Sequence, residues 1–187
     1  MDGHPASASP ADGPEWAPRR PGVTLVLGMG NPLLGDDGVG WHVADVVAAR
    51  LAGDATVEVD RQSLGGLRLM ERLVGYERAI VVDSMVTGTT VPGAVRAFFL
   101  DELPGAAGEH LGSPHDTSLA AALTLGRALG APLPANPYVV AIEIERAVEV
   151  DDGLSTPVAA AVPAAVELVL AHVYASGISR RETPCMS

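Results

Sequence analysis

The apolar run VTLVLG (Val23 to Gly28) passes through a glycine turn into GVGWHVADVVAARL (Gly38 to Leu51), where Val39, Val43, Val46, Val47 and Leu51 recur at helical spacing. A run of strand length, a tight glycine loop and an amphipathic helix in that order specify a β-α unit. The same alternation continues along the chain. TVEVD (Thr56 to Asp60) reads as a strand, GLRLMERLVG (Gly66 to Gly75) as a short helix that Gly75 can end, and RAIVVD (Arg78 to Asp83) as a second buried strand. AVRAFFL (Ala94 to Leu100) is a third candidate strand, SLAAALTLGRALG (Ser118 to Gly130) is helical and YVVAIEIE (Tyr138 to Glu145) is strand-like. The last element, Ser155 to Ala175, is a helix that Ser155 can cap, with Pro157 tolerated in its first turn and Pro163 expected to kink or tighten it. Strands and helices alternating this regularly predict an α/β fold, a three-layer α/β/α sandwich around a mostly parallel, twisted sheet of about five strands.

At 187 residues the chain suits one well-cored domain. Residues 1–21, rich in Pro, Ala, Ser, Gly and Asp, read as a disordered leader without a signal-peptide core, and the domain is expected over 22–176. Residues 177–187 read as a flexible tail. The apolar runs are interrupted before the roughly twenty residues that a bilayer crossing needs, which predicts a soluble protein. Twelve arginines, no lysine and 23 acidic residues give a net charge of -11, which opposes non-specific binding to nucleic acid or anionic lipid. The single cysteine, Cys185, excludes an intrachain disulfide and fits a reducing cytoplasm.

In such sheets, loops and helix N-termini converge beyond the carboxyl ends of the strands, so polar residues there carry the chemistry. Two groups qualify: Asp36 and Asp37 after the first strand, and Asp83 closing RAIVVD. The first loop, LGMGNPLLGDDGVG (Leu27 to Gly40), begins like a dinucleotide-binding turn, yet its glycines do not reproduce the G-x-G-x-x-G spacing. Two carboxylates at the helix start would also repel a pyrophosphate, at a cost of order 1 kcal/mol per charge pair. A cation is the better occupant. Taken alone, an Asp-Asp pair at that position is an N-cap beside a solvated first-turn acid. His115, in SPHDTSLAAAL (Ser113 to Leu123), adds an imidazole just before a predicted helix. One imidazole with carboxylates makes a mixed nitrogen and oxygen set suited to nickel or zinc.

GMGNPLLGDDGVG, VVDSM (Val81 to Met85) and SPHDTSLAAAL, in that order, resemble the hydrogenase maturation endopeptidases, and the likeness extends over roughly Val23 to Ala175. The resemblance implies metal ligation by Asp37, Asp83 and His115. Asp37 stands where some relatives carry Glu, so its carboxylate reaches less far. The implied reaction removes the C-terminal extension of a nickel-iron hydrogenase large-subunit precursor after nickel insertion. Nickel would come with the precursor, other divalent cations could substitute, and the protein would act as a cytoplasmic monomer.

In that setting a metal polarises the scissile carbonyl and acidifies a water while a carboxylate takes a proton, and Asp36 is the candidate base. Asn31, Gly65 and Gly66 are candidates for holding the substrate tail. His42, His172 and Trp41 fall in helix patterns and read as packing or surface residues, His4 and His110 fall in segments expected to be flexible, and Glu143 and Glu145 should point the same way from one strand. The chain lacks a Gly-x-Ser-x-Gly elbow, a His-Glu-x-x-His motif and a core cysteine, which removes the serine, zincin and thiol peptidase readings. Two rivals remain: a nucleotide-binding oxidoreductase, disfavoured by the glycine spacing, and a nickel-binding assembly chaperone without proteolytic activity.

Overall fold

The computed structural model describes residues 16–102, 119–145 and 153–178. In chain order the elements are β1 (Arg20–Met29), a 3-10 turn (Gly35–Gly38), α1 (Val39–Arg50), β2 (Val57–Gln62), α2 (Gly66–Leu73), β3 (Tyr76–Met85) and β4 (Val95–Phe99). A second 3-10 turn (Leu100–Glu102), α3 (Leu119–Ala128), β5 (Tyr138–Glu143) and α4 (Thr156–Ile178) complete it. The strands form one five-stranded sheet in the order β2-β1-β3-β5-β4, parallel except that β4 runs antiparallel to β5. This is the α/β sandwich expected from the alternation of elements.

Alternation along the strands divides the core in two. Leu25, Leu27, Val81, Met85 and Val139 pack with Leu69, Met70 and Leu73 of α2 and Leu119 and Leu123 of α3. Val26, Ile80, Val82, Val140 and Ile142 face the other way, against Val39, Val43 and Val47 of α1 and Val158, Val166 and Val169 of α4. Burying each such side chain stabilises the fold by about 1.5–3 kcal/mol, so neither face is optional.

Several boundaries differ from those expected. β1 opens at Arg20, inside the segment read as leader, because the Arg20 N–H donates to the Gly75 carbonyl at 2.8 Å. α4 continues to Ile178, and Pro163 lies on its exposed side without ending it. α4 is also long and apolar enough, by length and composition alone, to cross a membrane, contrary to the expectation from interrupted apolar runs. Here it serves as a core helix: Val158, Ala161, Ala165, Val166, Val169, Leu170 and Val173 recur at helical spacing and are buried.

β1 connects through α1 to its neighbour on one side, β2, whereas β3 leads to β4 and β5 on the other. The crevice between the carboxyl ends of β1 and β3 is therefore the topological switch point, where open α/β sheets gather their ligands. Backbone meets backbone at this crevice. A Cβ added to Gly40, in the first turn of α1, would lie 2.3 Å from the Met29 carbonyl oxygen and 2.5 Å from that of Val82. The start of α1 thus rests directly on the ends of both strands. Alanine would ordinarily improve a helix position by about 1 kcal/mol, whereas overpacking costs about 1–3 kcal/mol. The second effect should prevail at Gly40 because the opposing atoms are backbone. Gly40→Ala is expected to lower the unfolding free energy by about 1–2 kcal/mol in urea denaturation. An unchanged or higher value would show that helix propensity dominates there.

Candidate functional site

The glycine loop that closes onto the strand ends also determines where its acids lie. Gly30 has φ +119°, and a Cβ there would lie 1.9 Å from the Asp37 carbonyl oxygen. Only glycine fits both the conformation and the contact. Neither Asp36 nor Asp37 caps a helix: both lie within the 3-10 turn, whose N-cap position is Leu34, while that of α1 is Gly38. The N-cap expectation for this pair gives way to a different use of each carboxylate.

Asp37 is 1% exposed. Its Oδ2 accepts the Asn31 backbone N–H at 2.7 Å, and its Oδ1 accepts the Ser84 hydroxyl at 3.1 Å. Ser84 follows Asp83 on β3, and its backbone N–H donates to Asp83 Oδ1 at 2.8 Å. One serine thereby bridges the two acids. Asp83 alternates with Val81 and Met85 and takes the face of α2 and α3, whereas Ser84 takes the face of α1, where the 3-10 turn lies. The sequence reading gave Ser84 no role, although a hydroxyl beside Asp83 at the end of a largely buried strand was the available signal.

Burial, and then the negative charge of Asp37, raise the Asp83 carboxyl from 3.8 to about 7, against the opposing pull of the Ser84 N–H. A carboxyl held largely protonated below neutral pH by burial and by the charge of a second carboxylate marks an environment that a cation would relieve. Among the described residues no group of three His, Cys, Asp or Glu side chains is gathered as a metal site. His115, the third ligand implied by the resemblance, lies outside the described residues.

Asp36 is committed elsewhere. Its Oδ1 accepts the Ser155 N–H at 2.6 Å and its Oδ2 accepts the Ser155 hydroxyl at 2.7 Å. Ser155 precedes α4 and provides the carbonyl that the Ala159 N–H bonds at 2.8 Å, so Asp36 ties the glycine loop to the start of the last helix. Asn31 is likewise occupied within the loop, its Oδ1 accepting the Leu33 N–H at 3.1 Å. Gly65 and Gly66 lie at the start of α2, with Gly65 at the N-cap.

The remaining candidates have environments of their own. His42 is exposed. Trp41 is partly buried, its indole N–H reaching the Gln62 carbonyl at 3.4 Å. His172 stacks on Tyr138 with ring centroids 3.9 Å apart. Glu143 and Glu145 do not share an environment: Glu143 is buried, while Glu145, beyond the end of β5, is exposed. The pairing expected from strand alternation fails because the strand ends between them.

The raised Asp83 value has a consequence for stability. Between about pH 4 and pH 7 the folded chain holds this proton and the unfolded chain releases it, so stability falls as pH rises through that window. The loss is at most about 4 kcal/mol, at roughly 1.4 kcal/mol per pH unit. Asp83→Asn is therefore expected to raise the urea midpoint at pH 8 relative to wild type, with little gain at pH 4. The same gain at both values, or a loss at pH 8, would contradict the charge-pair account.

Comparison with known proteins bears on this geometry. The chain is 29% identical over 154 residues to the hydrogenase 2 maturation protease of Escherichia coli strain K12, covering 82% of this chain and 92% of that one. It superposes on the hydrogenase maturating endopeptidase HybD of E. coli with a TM-score of 0.71 at 29% identity, covering 83% and 94% of the two chains. The hydrogenase 2 maturation peptidase of Thaumarchaeota archaeon SCGC_AB-539-E09 gives a TM-score of 0.59 at 29% identity, covering 81% and 97%. Residues 42–172 match the profile described as hydrogenase maturation protease. That span begins beyond the glycine loop with its two acids, so the assignment does not rest on the motif alone: the chain belongs to the hydrogenase maturation protease family.

Proposed function

We propose that this protein is an endopeptidase that removes the C-terminal extension of a nickel-iron hydrogenase large-subunit precursor after nickel insertion. The observation that carries this reading is the Asp37–Ser84–Asp83 arrangement at the switch point of a chain of this family. Nickel is part of the substrate here, and other divalent cations can take its place. The residues fit such an ion, because one serine bonds both carboxylates and burial together with the charge of Asp37 drives Asp83 to hold a proton.

Asp37 and Asp83 would hold the ion together with His115. Leu119, at the start of α3, packs in the same cluster as Met85, two residues from Asp83. His115 lies four residues before Leu119, a separation that spans at most about 14 Å, and this supports its inclusion. When bound, the ion supplies polarisation of the scissile carbonyl and acidification of a water. The chain contributes the rest. Ser84 fixes the relative position of the two acids, and the Asn31 N–H orients Asp37. Asp83 exchanges a proton near neutral pH, so ion and proton compete for its carboxylate. Asp36, read from the sequence as a candidate base, has both oxygens on Ser155, which favours a role in orienting the loop. A cytoplasmic monomer in transient contact with its precursor is the corresponding setting, supported by the acidic charge and the lone cysteine.

Incubation with a nickel-loaded large-subunit precursor, followed by mass measurement of the product, tests the reading. A shortened precursor is expected. An intact precursor with nickel transferred to this protein would establish the chaperone function instead. Asp37→Asn, Asp83→Asn and His115→Ala are each expected to reduce processing by about 100-fold or more while leaving the circular dichroism unchanged. Retained cleavage in any one folded variant would remove that residue from the site.

A further inference from the structure

The chain buries a second carboxylate that the proposed chemistry does not use. Glu143, at the end of β5, is 1% exposed. Burying a carboxylate is costly unless donors surround it. Here Oε1 accepts the backbone N–H groups of Thr87 at 2.8 Å and Gly88 at 2.9 Å, and Oε2 accepts the Thr87 hydroxyl at 2.7 Å. Burial tends to raise this carboxyl, but the bonds from Thr87 and Gly88 outweigh it and hold the group below the usual range.

All these donors lie on the β3–β4 loop, residues 86–94. The backbone of Glu143 grips the other limb of the same loop: its N–H donates to the Ala94 carbonyl at 2.8 Å, and its carbonyl accepts the Gly93 N–H at 2.8 Å. One residue holds both limbs. The loop starts three residues after Asp83, and Gly93 packs against the Pro157 carbonyl in the first turn of α4, beside the Ser155 that Asp36 holds. The loop therefore continues the strand that carries Asp83 and meets the start of the helix that Asp36 holds. Its outer surface is exposed at Thr87, Gly88, Thr89 and Val91, the last 74% exposed, and an open segment with so little apolar packing would not keep one shape unaided.

We infer that Glu143 is a positioning residue for the reaction: it fixes loop 86–94 as the wall beside Asp83 along which the extended precursor segment lies. The inference rests on the proteolytic reading. In cleavage of the nickel-loaded precursor, Glu143→Ala is expected to raise KM about tenfold with kcat within about threefold. Glu143→Gln, whose amide oxygen can still accept both N–H groups, should restore most of the loss. Amide exchange at Thr87 and Gly88 should accelerate in Glu143→Ala and return toward wild type in Glu143→Gln. Thr87→Ala removes one bond from an exposed residue and gives a folded variant even if Glu143→Ala unfolds; a severalfold rise in its KM is expected. A wild-type KM in folded Glu143→Ala, or in Thr87→Ala where Glu143→Ala does not fold, overturns the inference. If wild-type protein leaves the precursor intact, the proteolytic reading fails separately. Precursor affinity then decides the role of the loop: about tenfold weaker binding by Glu143→Ala supports it and unchanged binding overturns it.

Discussion

Close contact between the start of α1 and the backbone ends of β1 and β3 is the constraint on which the rest of the site depends. It requires a missing side chain at Gly40 and a left-handed turn at Gly30, and together these bring the 3-10 turn down onto the sheet. Once that turn is seated, Asp37 is carried below the surface to the height of Ser84. A glycine loop that resembles a phosphate cradle in composition thus serves to lower a carboxylate rather than to present amides.

The second level is electrostatic. Packing supplies the energy to bury Asp37, and Ser84 divides its two donors between Asp37 and Asp83, but no neutral hydroxyl cancels like charges. The remaining strain is expressed as a retained proton on Asp83. A positive charge placed there would take over the role of that proton.

Elements whose signal is local were legible in the sequence. The alternation of apolar runs and helical stripes marked every strand and helix, and the positions of Asp37 and Asp83 at strand ends marked the switch point. The direction of β4 was not legible, since AVRAFFL has the same pattern whichever way it runs. Ser84 and Glu143 escaped for a related reason. Their roles depend on partners 47 and 56 residues away, and periodicity identifies a face without identifying what occupies it. Asp36 was visible as an acid, but its attachment to Ser155, 119 positions later, belongs to the assembled fold. His115 was legible only as a residue type in a polar turn.

That long-range attachment has a bearing on how the protein comes into being. The glycine loop emerges early in synthesis and α4 late, and the link between them closes the sheet from its first turn to its final helix. A nascent chain that ends before Ser155 has nothing there to hold Asp36 and, without α4, leaves the Val26, Val82 and Ile142 side of the sheet partly uncovered. The loop that carries Asp36 and Asp37 therefore gains this anchor only once the start of the last helix has been made and packed.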